Sequence, residues 1–140
     1  MHKVTVQAAL NSVKAVGDIL VVDDDPILRD LLVDWLQGAG YRVRTASNCE
    51  GALLELGQSA AALVVSDMYM PGACGLELID RIKRRQPDAG LIVVSGRFNA
   101  GHGLTREAAL TAGADRALTK PLKRGDLLHA VTDLIGAPSA

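Results

Sequence analysis

Short, apolar, β-branched runs alternate along this chain with longer segments in which apolar residues recur every three or four positions. Five runs of the first kind are predicted as strands, at 19–23, 42–45, 62–67, 91–95 and 116–119. Most of them are apolar throughout, which is typical of strands that helices cover on both faces. The alternation therefore predicts repeated βα units around a parallel sheet, an α/β fold.

The longer segments predict five helices, and local signals mark the start of two of them. Asp25 is the expected N-cap of the first helix, and Pro26 suits its first helical position. Ser47 and Glu50 have the spacing of a capping box at the start of the second helix. The residues expected to face the core from these two helices are Ile27, Leu28, Leu31, Leu32 and Trp35, and then Leu53, Leu54 and Leu56.

Three further helices are predicted near 76–85, 105–112 and 125–135, with Gly136 as the C-cap of the last. The third helix of the chain ends in four cations that suit the negative end of a helix dipole and are expected to face solvent: Arg81, Lys83, Arg84 and Arg85. We expect the fold to occupy residues 18–136, with 1–17 as an N-terminal extension and 137–140 as a C-terminal tail.

Composition narrows the class of protein. The 140 residues are 49% hydrophobic and 22% charged, as in one globular domain, and the formal net charge is -1. Acidic and basic residues are interspersed, which argues against nucleic acid or an anionic membrane surface as a partner. No apolar run approaches the roughly 18 residues of a membrane-spanning helix, and polar residues interrupt any signal-peptide core in 1–17. We therefore expect a cytoplasmic protein.

Cysteine and histidine positions do not predict a zinc site or a disulfide. Cys49 and Cys74 are far apart in sequence, and reduced thiols are the simplest expectation for both. His2, His102 and His129 lack ligand spacing with one another and with the cysteines.

Carboxylates follow two of the predicted buried strands. Asp23, Asp24 and Asp25 come at the end of the first strand, and Asp67 ends the third. The carboxyl ends of parallel strands meet at one edge of a sheet, so these groups should converge there. Carboxylates a few ångströms apart repel one another, and a hard divalent cation with oxygen ligands, Mg²⁺, is the expected remedy. Asp25 alone is explained as a helix cap.

Two further strand ends add a donor and a positive charge to this crevice. Ser95 follows the fourth strand and Lys120 follows the fifth. Each residue is common at protein surfaces when it stands alone, but their joint placement beside the carboxylates matches a phosphoryl pocket. Phosphoryl transfer requires a nucleophile held in line, a cation and fixed donors for the remaining oxygens.

These motifs resemble the receiver domains of bacterial response regulators. The resemblance is carried by Ile-Leu-Val-Val-Asp-Asp-Asp-Pro at 19–26, Ser-Asp-Met-Tyr-Met-Pro-Gly at 66–72, Ser-Gly at 95–96 and Thr-Lys-Pro-Leu at 119–122. It covers residues from about 18 to 136, and four pieces in order at strand ends make it specific. It implies a flavodoxin-like, doubly wound parallel sheet of order 2-1-3-4-5 and a cis bond between Lys120 and Pro121.

The resemblance also implies roles for individual residues. Asp67 would be the phosphoacceptor, Asp24 would bind Mg²⁺ directly, and Asp23 would help through water or hydrogen bonds. The backbone carbonyl of Tyr69 would complete the protein ligands of the metal. The transferred phosphoryl oxygens would be held by Ser95 and Lys120.

The sequence departs from the family pattern in two places. Ala117 stands where receivers commonly carry an aromatic residue that reports phosphorylation, which puts that switch in doubt. The segment 96–103 is about three residues longer than usual, either as an accommodated insertion or as a partner-selecting loop. Tyr69 and Arg97 are expected to flank the phosphoryl group and to influence its lifetime.

The preferred hypothesis is a stand-alone receiver that takes phosphate from a histidine kinase or a histidine phosphotransfer protein and then docks to a target protein. One alternative is a receiver-like binding module that is never phosphorylated in the cell. Another is a Mg²⁺-dependent aspartyl phosphatase, which is disfavoured because Tyr69, two residues after Asp67, is not an acid able to act in turnover. We therefore expect a signalling domain rather than an enzyme.

Overall fold

The computed structural model describes residues 18–68, 76–96 and 105–138. Within these ranges the chain alternates strictly between strand and helix. The strands are β1 (Asp18–Val22), β2 (Arg42–Ala46), β3 (Leu63–Asp67), β4 (Gly90–Ser95) and β5 (Arg116–Thr119). The helices are α1 (Pro26–Gly38), α2 (Cys49–Gln58), α3 (Leu76–Arg85), α4 (Arg106–Ala112) and α5 (Arg124–Ile135).

The five strands form one parallel sheet in the order β2-β1-β3-β4-β5, which confirms the predicted fold class and strand order. The strand limits agree with the predicted ones to within one residue at each end. Asp23 therefore lies just beyond β1 rather than inside it. Because all strands run the same way, their carboxyl ends share one edge of the sheet.

Helices cover both faces of the sheet and enclose two apolar cores. Alternate residues of β1 show the division: Leu20 and Val22 pack on the face covered by α2, α3 and α4, whereas Ile19 and Val21 pack on the face covered by α1 and α5. This doubly covered arrangement explains why the inner strands are apolar on both sides. Among the described residues, no helix is long and apolar enough to cross a membrane.

The caps of the first two helices differ in how well the sequence predicted them. Asp25 caps α1 as expected, since its Oδ1 accepts from the N–H groups of Ile27 at 3.0 Å and Leu28 at 3.4 Å. The Ser47 capping box is wrong. Asn48 is the N-cap of α2, and its Oδ1 accepts from the Gly51 N–H at 2.7 Å. Asn and Ser are equally good caps, so adjacent candidates compete and tertiary contacts decide between them.

The predicted core face of α1 is confirmed for Leu28, Leu32 and Trp35 and is wrong for the other two residues. Leu32 and Leu36 are buried, but Ile27 is 81% exposed and Leu31 is 40% exposed. Leu28 packs against the same core, so the inward stripe follows 28, 32 and 36. Ile27 and Leu31 each precede a stripe residue by one position and are rotated about 100° away from it. The prediction was therefore wrong for these two residues.

Tyr41 links the start of β2 to the end of α5. Its buried side chain lies just before β2, and its hydroxyl donates to the Gly136 carbonyl at 2.6 Å, directly after α5. Gly136 is the C-cap of α5, as predicted, with a φ of 80° that favours glycine. The Lys120–Pro121 bond is cis, as the family resemblance implied.

A pair of leucines on α2 tests the core assignment. Leu56 is 3% exposed, whereas Leu54, which was also predicted to face the core, is 67% exposed. Leu56→Ala is expected to lower the free energy of unfolding by about 2–5 kcal/mol, because it leaves a cavity in the core. Leu54→Ala, the same change two positions earlier, should alter it by no more than about 0.5 kcal/mol. Urea denaturation of both variants checks this, and equal losses would contradict the assignment.

Candidate functional site

Two aspartates lie side by side where β1 and β3 end. Val22 of β1 is in register with Ser66 of β3, so the next residue of each strand, Asp23 and Asp67, reaches the same edge of the sheet. Both side chains are buried, at 2% and 6% exposure. The parallel pairing that produces the core therefore also brings together two carboxylates from distant parts of the chain.

Asp24 completes a cluster of three carboxylates. One oxygen from each of Asp23, Asp24 and Asp67 lies within 4.8 Å of the other two. Asp24 is exposed, whereas the other two members are buried. The cluster is therefore open to solvent on one side, and the predicted convergence of these three residues is confirmed as a spatial arrangement.

Hydrogen bonds hold the first residue of the cluster on three sides. The Asp23 N–H donates to the Ala46 carbonyl at 3.1 Å, and its carboxylate Oδ1 accepts from the Asp25 N–H at 2.9 Å. The Asp23 carbonyl accepts from Arg29 Nη1 at 2.9 Å. Sequence reasoning missed Arg29, because an arginine on a helix carries no signal of the carbonyl that it contacts.

The environment of Asp23 opposes its ionisation. Burial of the side chain is the largest effect and raises the pKa of Asp23 above its usual range. The charges of Asp67 and Asp24 raise this pKa further, whereas the hydrogen bond from Asp25 and the charge of Lys120 lower it. The negative charges of the cluster therefore repel one another, and a bound cation would reduce this repulsion.

Lys120 supplies one positive charge to the cluster. Its Nζ lies 3.1 Å from Asp67 Oδ2 and 4.0 Å from Asp23 Oδ2. The backbone N–H of Lys120 donates to the Ser95 carbonyl at 3.0 Å, which ties the end of β5 to the end of β4. Ser95 is fully buried and in register with Thr119. The structure thus places both predicted residues at the edge that carries the carboxylates.

Several predicted residues lie outside the described ranges. These are Tyr69 with its carbonyl, Cys74, Arg97, His2 and His102. The same holds for the lengthened loop, except for Gly96 at its start.

Two other residues have clear positions away from the cluster. Ala117 is 4% exposed and packs in the core beneath α4, in register with Val93, so an alanine methyl occupies the place expected for an aromatic ring. His129 is exposed on α5, and its Nε2 lies 3.4 Å from Asp133. This surface pair has no contact with the carboxylates.

The donor set fits a magnesium ion. Mg²⁺ binds oxygen ligands at about 2.1 Å, so oxygens on opposite sides of it lie about 4.2 Å apart. The three carboxylate oxygens span a similar distance, up to 4.8 Å. Exposure of Asp24 leaves room for the water ligands that Mg²⁺ usually keeps. Hard anionic oxygens, burial and mutual repulsion all favour a small divalent cation here.

A groove of about 1140 Å³ lies at the opposite edge of the sheet, among residues that include Asp18, Lys83 and Asp115. Two of its charges are paired, since Lys83 Nζ lies 3.1 Å from Asp115 Oδ2. This ion pair links α3 to the start of β5. The predicted site residues Asp23, Asp24 and Asp67 lie at the carboxylate edge and do not line this groove.

Comparison with known proteins shows the family to which this chain belongs. A family model described as the response regulator receiver domain matches residues 19–132. The chain is 36% identical over 118 residues to nitrogen assimilation regulatory protein NtrX of Azorhizobium caulinodans, covering 83% of this chain and 25% of that protein. It is 40% identical over 114 residues to an uncharacterized 14.6 kDa protein of Leptolyngbya boryana, covering 81% of this chain and 86% of that protein. The chain thus spans a quarter of the first relative and most of the second.

Solved structures show the same fold. The receiver domain of NtrX from Brucella abortus superposes with a TM-score of 0.77 at 33% identity, covering 84% of this chain and 98% of that one. A response regulator of Burkholderia pseudomallei, solved with a phosphorylated aspartic acid, a calcium ion and citrate, superposes with a TM-score of 0.74 at 31% identity, covering 82% of this chain and 66% of that one. The matched sequence, the strand order and the acidic cluster identify this protein as a member of the response regulator receiver domain family.

Proposed function

We propose that Asp67 accepts a phosphoryl group from a phosphohistidine, carried by a histidine kinase or a histidine phosphotransfer protein, in a Mg²⁺-dependent reaction. The observation that carries this proposal is the meeting of Asp23, Asp24 and Asp67 beside Lys120 at one edge of the sheet. The phosphorylated aspartic acid and calcium ion of the Burkholderia pseudomallei relative support it.

In the proposed reaction, a carboxylate oxygen of Asp67 donates an electron pair to phosphorus. The bond between phosphorus and the donor imidazole nitrogen breaks, and that nitrogen keeps the bonding electrons. The product is an acyl phosphate on Asp67 and a dephosphorylated histidine. Asp67 suits this role because its carboxylate is held at the end of β3, where substrate can approach from the open side that Asp24 borders.

Mg²⁺ would be held by Asp23, Asp24 and Asp67, with the Tyr69 carbonyl as the ligand that the family resemblance adds. When bound, it neutralises charge on the oxygens of the transferred group. Asp23 is the rigid member of the set, because it is buried and its Oδ1 accepts from the Asp25 N–H. Asp24 is the exposed member.

Lys120 and Ser95 would hold the remaining phosphoryl oxygens. Lys120 Nζ is 3.1 Å from Asp67 Oδ2, so an oxygen of a phosphoryl group carried by that carboxylate comes within its reach. Ser95 is the last residue of β4, which pairs with β3, and its carbonyl accepts a hydrogen bond from the Lys120 N–H. A fixed ammonium and a hydroxyl stabilise transferred charge without reorganising during the step.

We further propose that the domain acts without an attached output domain and signals by docking to a target protein. The 14.6 kDa relative supports this, since the family includes a chain of about this size, of which the match covers 86%. A cytoplasmic location is proposed as well, because the donor kinase obtains its phosphate from ATP. Nucleic acid and membrane are not proposed as partners, given the mixed charge and the net charge of -1.

A receiver-like module that is never phosphorylated remains the second candidate, and a phosphodonor assay distinguishes the two. Incubation with a small phosphodonor and Mg²⁺ is expected to add one labile phosphoryl group to the wild-type chain and none to Asp67→Asn. Asp25→Asn is the matched control: it makes the same change in a carboxylate outside the cluster, and asparagine also caps helices. Intact-mass measurement reads all three. An unmodified wild type, or a labelled Asp67→Asn, would refute the assignment.

Asp23→Asn tests the electrostatic strain in the cluster. Two unit charges about 5 Å apart repel by about 3 kcal/mol at an effective dielectric constant of about 20. Without divalent ions at pH 7, the free energy of unfolding of the variant is therefore expected to exceed that of wild type by on the order of 1–3 kcal/mol. The asparagine oxygen can still accept from the Asp25 N–H.

The pH dependence has a definite sign. Because folding raises the pKa of Asp23, the folded wild type holds that proton more tightly than the unfolded chain does. Its stability should fall as pH rises from the usual aspartate range through the raised pKa, and then level off. Denaturant unfolding in EDTA across this range should show a smaller fall in Asp23→Asn. A variant less stable than wild type at every pH would contradict the prediction.

Tyr69 and Arg97 are proposed to influence the lifetime of the acyl phosphate from positions flanking Asp67 and Ser95. Tyr69→Ala and Arg97→Ala are expected to change the rate of phosphoryl loss, because each alters access of water to the group. Decay of the intact-mass signal after removal of the donor measures this. His129→Ala, on the exposed face of α5, serves as the control that should decay like wild type. Unchanged rates in both flanking variants would count against the proposal.

A further inference from the structure

Arg29 reaches back from α1 to the end of β1. Its Nη1 donates to the Asp23 carbonyl at 2.9 Å, and the guanidinium is partly buried there. This carbonyl belongs to the peptide that joins Asp23 to Asp24. Arg29 thus contacts the backbone between two of the proposed metal ligands, and this hydrogen bond is with the carbonyl rather than with either carboxylate.

We propose that Arg29 is a positioning residue, which orients the Asp24 carboxylate toward the metal site by holding the Asp23–Asp24 peptide. This inference rests on the proposed function, since it concerns the same Mg²⁺ site. It assigns a role to a residue that touches neither the ion nor the phosphoryl group.

The backbone contacts around Asp23 support this role. The last sheet bond on this side runs from the Asp23 N–H to the Ala46 carbonyl, so the sheet holds the chain only up to that point. Beyond it, the Asp23 carbonyl is held by Arg29. Rotation of the peptide between Asp23 and Asp24 would swing the exposed Asp24 side chain away from the cluster, and the Arg29 bond opposes that rotation.

The helix gives Arg29 a firm base. Its N–H donates to the Asp25 carbonyl at 2.9 Å in the first turn of α1, and Leu32 and Leu36 anchor that helix in the core. Side chains of a helix lean toward its N-terminus, which directs Arg29 toward the end of β1. The guanidinium therefore holds the Asp23–Asp24 peptide, between β1 and α1, in a fixed position relative to the helix.

A purely electrostatic role fits the surroundings of Arg29 less well. Among the described residues, it takes part in none of the ion pairs. A cation near the N-terminus of a helix lies at the unfavourable end of the helix dipole. Its charge would also repel Mg²⁺ through space. An arginine that acted only through its charge would weaken metal binding, whereas a positioning residue strengthens it, so the two roles predict opposite signs.

The test is Mg²⁺ affinity, measured by calorimetric titration of the full chain. Arg29→Met is expected to weaken Mg²⁺ binding about tenfold, as is usual when the partner of a metal ligand is lost. Arg29→Lys, which keeps the charge and can donate one bond, should bind with intermediate affinity. Arg116→Met is the matched control, because Arg116 Nη1 donates to the Asp115 carbonyl at the same 2.9 Å but at the opposite edge of the sheet.

Arg29→Met that binds Mg²⁺ as tightly as wild type, or more tightly, would overturn the proposal, as would an equal loss in Arg116→Met. Unfolding midpoints in EDTA separate a general loss of stability from a loss of metal affinity. If Arg29→Met does not fold, Arg29→Lys decides: affinity equal to wild type overturns the role. Failure of wild type to bind Mg²⁺ would refute the proposed function itself, whereas normal wild-type binding with unaffected variants refutes only the role of Arg29.

Discussion

Repulsion among three carboxylates at the end of a buried sheet is the constraint on which this molecule depends. The parallel pairing of β1 with β3 forces Asp23 and Asp67 together, and the turn into α1 adds Asp24 within 4.8 Å. Water cannot fully solvate Asp23 or Asp67, because both side chains are buried. Cations must therefore compensate the charge, and the same unbalanced charge attracts a divalent ion.

The chain distributes that compensation over separate elements. Lys120 approaches Asp67 from the end of β5, and the Asp25 N–H stabilises the Asp23 carboxylate from the start of α1. Arg29 acts on the backbone rather than on a carboxylate. Asp25 and Arg29 lie close to Asp23 in sequence, whereas Lys120 lies 53 residues after Asp67. The contact of Lys120 with Asp67 therefore requires that the strands of the sheet pair in their final order.

The features that follow from strand position were predictable from the sequence. Asp23, Asp67, Ser95 and Lys120 directly end or follow apolar runs, and parallel topology alone brings such residues to one edge. The strand order came from the resemblance, which specific motifs supported. Features that depend on rotation about a helix axis were less predictable. Ile27 and Leu31 fit an apolar periodicity, yet they lie beside the part of the predicted stripe that packs in the core.

Side-chain to backbone contacts were predictable only where one residue was the clear candidate, as Asp25 is before Pro26. Ser47 and Asn48 are neighbouring cap candidates of similar quality, and only the tertiary structure selects Asn48. In the sequence, Arg29 cannot be distinguished from any other arginine on a helix, because its hydrogen-bond partner is a backbone carbonyl. Every residue has a carbonyl, so no residue type at any spacing marks such a contact.

The tie between Tyr41 and Gly136 has a consequence for how this domain can be joined to other proteins. Asp18 at the start of β1 and Ile135 at the end of α5 both border the groove at the edge of the sheet away from Asp67. Polypeptide joined directly to Asp18 or Ile135 would therefore leave the fold at this edge, about 16 Å from the acidic edge, as five strand residues at roughly 3.3 Å each span that distance. A fluorescent protein or affinity handle attached at these two points would leave the acidic edge open to a docking donor.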